Sequence, residues 1–229
     1  MDVRNQIKLI SEKAQRAARE FVFATREQKN TALQEIANDL VKHSRDIQFQ
    51  NGIDLQAGRE SGLSAALLDR LTLNDKRIVA MVQSIRDVAA LPDPVGEVLR
   101  SWTTAQGLSL RKVRVPIGVI GIIYESRPNV TAEAAALCLK TGNAVILRGG
   151  KEAICSNMII AEIIQKAISR CSLPEQAIQL ISTTDREAIV YLVQMEGLVD
   201  LVIPRGGEAL IRAVMEHARV PVIKHYKGV

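Results

Sequence analysis

From residue 2 to residue 91 the apolar positions recur at helical spacing. Ile7, Ile10, Ala14, Ala17, Ala18 and Phe21 line one face of a first helix. Thr25-Arg26-Glu27-Gln28 is a capping box, in which two side chains satisfy each other's exposed amides. It opens a second helix with Leu33, Ile36, Leu40 and Val41 turned inward. A short helix is expected over Ser64–Leu71, then one from Asp75 that carries Ile78, Met81, Val82, Ile85 and Val88. Pro92 and Pro94 end this stretch. Core burial alone explains the periodicity, so these helices read as a structural wrapper with solvated charges.

Beyond Pro94 the pattern changes. Glu97 to Val113 reads as a β-hairpin with Ala105-Gln106-Gly107 at its turn. From Val115 strands and helices alternate: a strand to Tyr124, a helix from Asn129, a strand at 144–148 and a helix at 152–170. A strand at Ala177–Ser182, a helix at 185–195, a strand at Leu198–Ile203, a helix at 207–218 and a strand at Val220–Ile223 complete the series. Such alternation predicts an α/β fold with a doubly wound, mostly parallel sheet covered on both faces. The expected division is a helical layer over 1–95, the hairpin over 96–114 and the parallel α/β unit over 115–229. No internal repeat or low-complexity segment appears.

Bulk properties narrow the function. The chain has 229 residues and a net charge of +5, with basic residues scattered among acidic neighbours. Aromatic residues make up only 3%, too few for base stacking, and nucleic acid is not an expected partner. Cys138, Cys155 and Cys171 form no C-x-x-C pair and no metal spacing, so no metal is expected. Three cysteines and a polar start fit a reducing, cytoplasmic setting. No apolar run approaches the ~18 residues of a membrane span.

In open α/β sheets ligands lie at the carboxyl ends of the strands, and those ends carry the chemistry here. Neither G-x-G-x-x-G nor G-x-x-x-x-G-K-[ST] is present. Arg148-Gly149-Gly150 closes one strand, and a planar guanidinium there can grip a phosphate or pair with Glu152. Pro204-Arg205-Gly206-Gly207 repeats the arrangement. Its glycines leave backbone N–H groups exposed at a helix start, a place for a pyrophosphate, or else they only permit a turn. Gly118 and Gly121 sit in an apolar strand, where close packing is the expected role. Asn129 reads as a helix N-cap, and Arg127 can hold a phosphate or carboxylate. His43 and His217 lie on helices without a metal-like partner, His225 sits near the chain end, and the cysteines read as small core residues.

Several segments carry a family resemblance: YESRPNVT, CLKTGNAVILRGG, LVDLVIPRGGEALIR, ARVPVIKHY, SGLSAALLDRLTLNDKRI and ALPDPVGEV. Together they resemble the gamma-glutamyl phosphate reductases, also called glutamate-5-semialdehyde dehydrogenases, within the aldehyde dehydrogenase superfamily. The resemblance implies an aldehyde-dehydrogenase-type cofactor domain and NADPH-dependent reduction of L-glutamyl 5-phosphate to L-glutamate 5-semialdehyde in proline biosynthesis. In such an enzyme phosphate is displaced by a cysteine, and hydride reduces the resulting thioester. It places cofactor contacts at Arg148, Gly149, Gly150, Pro204, Arg205, Gly206 and Gly207. An Arg at 148, where the wider superfamily commonly has Lys, suits the 2′-phosphate of NADP. Glu125 or Asn129 falls near the superfamily's oxyanion donor, and Lys224-His225 near its general base. The nucleophilic cysteine is expected beyond Val229, which leaves no catalytic residue assigned within the chain. Association with glutamate 5-kinase, homo-oligomer formation and subunit contacts through the hairpin are further implications. A second reading is a non-catalytic chain acting only in nucleotide binding or subunit interaction.

Overall fold

Local capping sets where the first helices begin. In a computed structural model, which describes residues 2–224, Asp2 accepts the Asn5 amide at 2.7 Å and opens α1 (Val3–Phe21). The predicted capping box is formed: Thr25 Oγ1 accepts the Gln28 amide at 3.1 Å and Gln28 Oε1 accepts the Thr25 amide at 2.9 Å, opening α2 (Arg26–Lys42). Helices α3 (Ser44–Glu60), α4 (Ala65–Leu71) and α5 (Asp75–Ala90) follow, the last two capped by Ser64 and Asn74. Val41 departs from expectation: it is exposed, because one step past the buried Leu40 turns it about 100° off the inward stripe.

The hairpin consists of β1 (Val98–Thr103) and β2 (Ser109–Val113), paired antiparallel, and every residue of both strands is exposed. A parallel sheet then forms from β3 (Val119–Tyr124), β4 (Ala144–Arg148), β5 (Ile178–Leu180) and β6 (Leu201–Arg205). Its helices are α6 (Asn129–Lys140), α7 (Ile154–Arg170), α8 (Glu187–Leu192) and α9 (Glu208–His217). The strand order β5-β4-β3-β6 confirms the doubly wound sheet. The chain winds outward from β3 to β5, then returns to the other side of β3.

Helices α6 and α7 cover one face of this sheet and carry α2, α3 and α5 on their outer side. Helix α1 covers the opposite face, against β3, β4, β5 and α8. The helices over 3–90 are thus split between the two faces of the sheet. One hydrophobic core runs through all of it, from Ile7 to Val220.

Some element bounds shift. The segment at 152–170 starts as a 3-10 turn (Lys151–Ala153) before α7, and β5 and α8 are shorter than their patterns suggested. β6 starts at Leu201, because Leu198 and Val199 close a turn onto the Met195 carbonyl. Val220–Ile223 makes a single parallel bridge, Val202 to Val222, in place of a strand. His225 lies outside the described residues.

Two side-chain acceptors, the buried Asn143 and the exposed Asp200, hold the entrance to β3. Asn143 Oδ1 accepts the amides of Ile117 and Gly118 at 2.6 and 2.9 Å, and Asp200 Oδ2 accepts that of Val119 at 2.8 Å. Gly118 has φ +125°, and a Cβ there would overlap the Asp200 carboxylate. Close packing is what both strand glycines permit, since a Cβ on Gly121 would lie 3.2 Å from Val202.

Candidate functional site at the strand ends

The sheet reverses its winding between β3 and β6, and a doubly wound sheet presents its ligand crevice at such a switch point. Tyr124 pairs in register with Arg205, so the residues that follow each strand emerge side by side. They line an open cleft of about 450 Å³, bounded by Glu125, Ser126 and Arg127 after β3, Pro204 to Gly207 at the end of β6, and Arg70 of α4.

An anion already sits at the start of α9. Glu125 Oε2 accepts the Gly207 amide at 2.9 Å, so a carboxylate caps the positive end of the helix. A Cβ on Gly206 would fall 2.7 Å from the Glu125 carboxyl carbon and from Leu210, so only glycine lets the two approach this closely. The sequence placed Glu125 near a substrate oxyanion. In the structure it meets the same backbone amide that was expected to face a pyrophosphate.

The β4 end is closed. Arg148 is only 6% exposed. Its guanidinium donates to the carbonyls of Gly149, Thr184 (3.2 Å) and Asp185 (3.4 Å), while Nε is buried without a partner. Burial lowers its pKa from the usual guanidinium range, opposed by Glu152 and Tyr124. The alternative pairing with Glu152 is not formed, because Glu152 Oε1 accepts the Ser126 hydroxyl at 2.6 Å. A phosphate at Arg148 would have to displace the bonds to Thr184 and Asp185.

Behind this strand end lies a buried chain of side-chain hydrogen bonds. The Tyr124 hydroxyl meets Thr131 Oγ1 at 2.6 Å, and Thr131 in turn donates to Asn157 Oδ1 at 2.8 Å. Burial pushes the Tyr124 phenol pKa up, which keeps it neutral. A Cβ on Gly149 would overlap the Asn157 amide and crowd the Tyr124 ring. Asn129 is not an N-cap. Pro128 holds that position without a side-chain bond, and Asn129 Nδ2 donates to Glu133 Oε1 at 2.9 Å.

The aldehyde dehydrogenase family profile matches residues 2–226, nearly the whole chain. The chain belongs to the aldehyde dehydrogenase family. Within that family it is 52% identical, over all of its 229 residues, to gamma-glutamyl phosphate reductase of Sulfurihydrogenibium sp., and covers 51% of that protein. Among solved structures it is similar to gamma-glutamyl phosphate reductase of Thermotoga maritima (TM-score 0.95, 43% identity, 97% of this chain and 54% of that one). The Saccharomyces cerevisiae reductase is also similar (TM-score 0.89, 35% identity, 97% and 56%). The chain spans about half the length of the relatives it matches.

Aldehyde dehydrogenases act through a cysteine thiolate in the reading drawn from the resemblance, and none of the three cysteines here is set up for it. Cys138 is buried and its pKa is pushed up to about 12. Burial also raises Cys155, with Asp54 adding to the effect, and Cys171, with Glu35 adding to it. Among the described residues no group of three His, Cys, Asp or Glu side chains is arranged to hold a metal ion, and no helix is long and apolar enough to cross a membrane.

Two parts of this candidate site were not read from the sequence. Arg70 was absorbed into the helical wrapper, although it closes a short helix just before the α4–α5 break and lines the cleft. The Tyr124–Thr131–Asn157 chain was missed because its members lie on three separate elements.

Proposed function

We propose that this chain forms the cofactor-binding part of an NADPH-dependent reductase that converts L-glutamyl 5-phosphate to L-glutamate 5-semialdehyde in proline biosynthesis. The observation that carries the reading is the 52% identity to a gamma-glutamyl phosphate reductase over the full chain. The switch-point cleft, bordered by Gly206 and Gly207, supports it.

The residues fit a nicotinamide dinucleotide in two respects. The Gly207 amide at the start of α9 already donates to a carboxylate, so the diphosphate of the cofactor would take the place of Glu125. Arg148 keeps a buried Nε without a partner, with Gly149 and Gly150 beside it, and would face the ribose 2′-phosphate once its carbonyl contacts were released. Bound there, the cofactor supplies a hydride. The chain's own residues orient it: Arg205 and Arg127 add positive charge to the cleft, and the buried network behind Gly149 fixes the strand end. Subunit contact falls to the exposed hairpin, whose Trp102, Leu108 and Leu110 are apolar and open to solvent. A homo-oligomer, a glutamate 5-kinase partner and a cytoplasmic setting belong to the same reading.

Fluorescence titration of the 229-residue chain with NADPH and NADH tests it. Saturable binding with preference for NADPH is expected, without turnover, since no thiol here is activated. Failure to bind either cofactor would overturn the reading. Phosphate-dependent oxidation of glutamate 5-semialdehyde by this chain, lost in Cys138→Ser, would overturn the assignment of Cys138 to the core; Cys155 and Cys171 are half-buried.

A further inference from the structure

A second cleft of about 450 Å³ adjoins the strand-end cleft and shares two residues with it, Arg70 and Arg127. Both are exposed, and among the described residues neither side chain has a hydrogen-bond or ion-pair partner. A third arginine, Arg77, is already held: it donates to Asp69 Oδ2 at 2.9 Å and to the carbonyls of Asp69 and Thr72. From α6 the cleft receives Asn129 and Glu133, one turn apart on the same helix face. Asn129 Nδ2 donates to Glu133 Oε1, which leaves Asn129 Oδ1 and Glu133 Oε2 as acceptors without a protein donor among the described residues.

One small cleft thus carries two unneutralised guanidinium groups and, beside them, an acceptor pair with one negative charge. A simple anion would be drawn to the arginines and repelled by Glu133. A ligand that carries an anion and a cation a few bonds apart satisfies both, and an α-amino acid is such a ligand. The buried Leu73 and Met81 add apolar surface for a short methylene chain.

We propose that this cleft binds the amino-acid end of the substrate, with the α-ammonium on Glu133 and Asn129 Oδ1 and the α-carboxylate on Arg70. Arg127, common to both clefts, faces the reacting end. The identity of the amino acid as a glutamate derivative rests on the reductase reading; its class rests on the cleft alone.

NMR chemical-shift mapping on the isotope-labelled 229-residue chain tests this, with L-glutamate as the probe. Glutarate, which keeps both carboxylates and lacks the ammonium, is titrated in parallel. L-Glutamate should shift amides in α4 and the first turns of α6, and glutarate should need a roughly tenfold higher concentration for the same effect. Glu133→Gln should remove that preference by weakening L-glutamate alone, while Arg70→Met should weaken both. If Glu133→Gln proves poorly folded, Asn129→Ala provides the second variant and should narrow the preference. Equal binding of the two probes, a preference that survives in Glu133→Gln, or no shift at these residues would overturn the proposal. So would inorganic phosphate competing as strongly as L-glutamate. A chain that binds NADPH and ignores the ammonium loses this inference and keeps the reductase reading. A chain that discriminates the ammonium and binds no cofactor does the reverse.

Discussion

The β4 and β6 ends begin with nearly the same five residues, Ile146-Leu147-Arg148-Gly149-Gly150 and Ile203-Pro204-Arg205-Gly206-Gly207, yet the fold treats them in opposite ways. After β4 the backbone makes a 3-10 turn and enters α7, whose first amides are capped from α3. Asp54, itself buried, accepts the amides of Cys155 and Ser156 at 3.1 and 2.8 Å and the Ser156 hydroxyl at 2.6 Å. After β6 the chain enters α9 directly, and the carboxylate at the helix start is Glu125, which is exposed. A carboxylate sits at a helix N-terminus in both places. One is locked into the core by three hydrogen bonds; the other holds a single bond at the rim of a cleft. The same sequence motif therefore yields a structural joint at β4 and a displaceable anion at β6, because of what packs over each.

This contrast can be broken by substitution, and the largest effect should come from the joint. Asp54→Ala leaves two amides and a hydroxyl in the core without their acceptor, and should cost about 3 kcal/mol of stability by chemical denaturation. A loss no larger than that of an exposed site would show that the two carboxylates are equivalent after all. Next comes Arg148→Ala, which should weaken NADPH binding by about 1.5–3 kcal/mol while leaving NADH less affected. Equal losses for both cofactors by calorimetry would confine Arg148 to holding the Thr184–Asp185 turn.

The glycines sharpen the comparison further. Gly149→Ala drives a methyl into Asn157 and the Tyr124 ring and should lower stability by about 1–3 kcal/mol. Gly206→Ala presses only on the movable ends of Glu125 and Leu210, so its thermal midpoint should stay near that of the parent chain. The smaller of the two expected effects on cofactor binding comes from Glu125→Gln. With the competing charge gone from the Gly207 amide, affinity for NADPH or for pyrophosphate should rise by roughly two- to fivefold. A fall in affinity would assign Glu125 to the ligand's own contacts.

Much of this architecture was legible in the residues. The switch from helical spacing to alternating strand and helix after Pro94 gives the α/β class, and the Thr25–Gln28 capping box forms as its spacing requires. Each strand-end residue singled out from the sequence does sit at a carboxyl end, and Glu125, Arg127 and Pro204–Gly207 share one cleft. What could not be read was how deep each residue lies. Arg148 and Arg205 look alike in sequence, but exposure depends on the loop at Thr184–Asp185, which closes over only one of them. Asn129 looked like a cap because local spacing allows it; its actual bond to Glu133 runs along the helix face. Arg70 was hidden because its relation to Arg127 exists only once α4 lies beside the turn after β3.

Helix α1 also constrains the order in which the molecule can be completed. Its buried stripe, from Ile7 to Phe21, seats on β3, β4 and β5, while α2, α3 and α5 gather on the other side of the sheet. Just over 120 residues separate the end of α1 from the start of β4. At a synthesis rate of about 5–20 residues per second, that helix waits roughly ten seconds before its partner leaves the ribosome. During that interval an amphipathic segment sits in water with its apolar side uncovered, a natural handle for a chaperone.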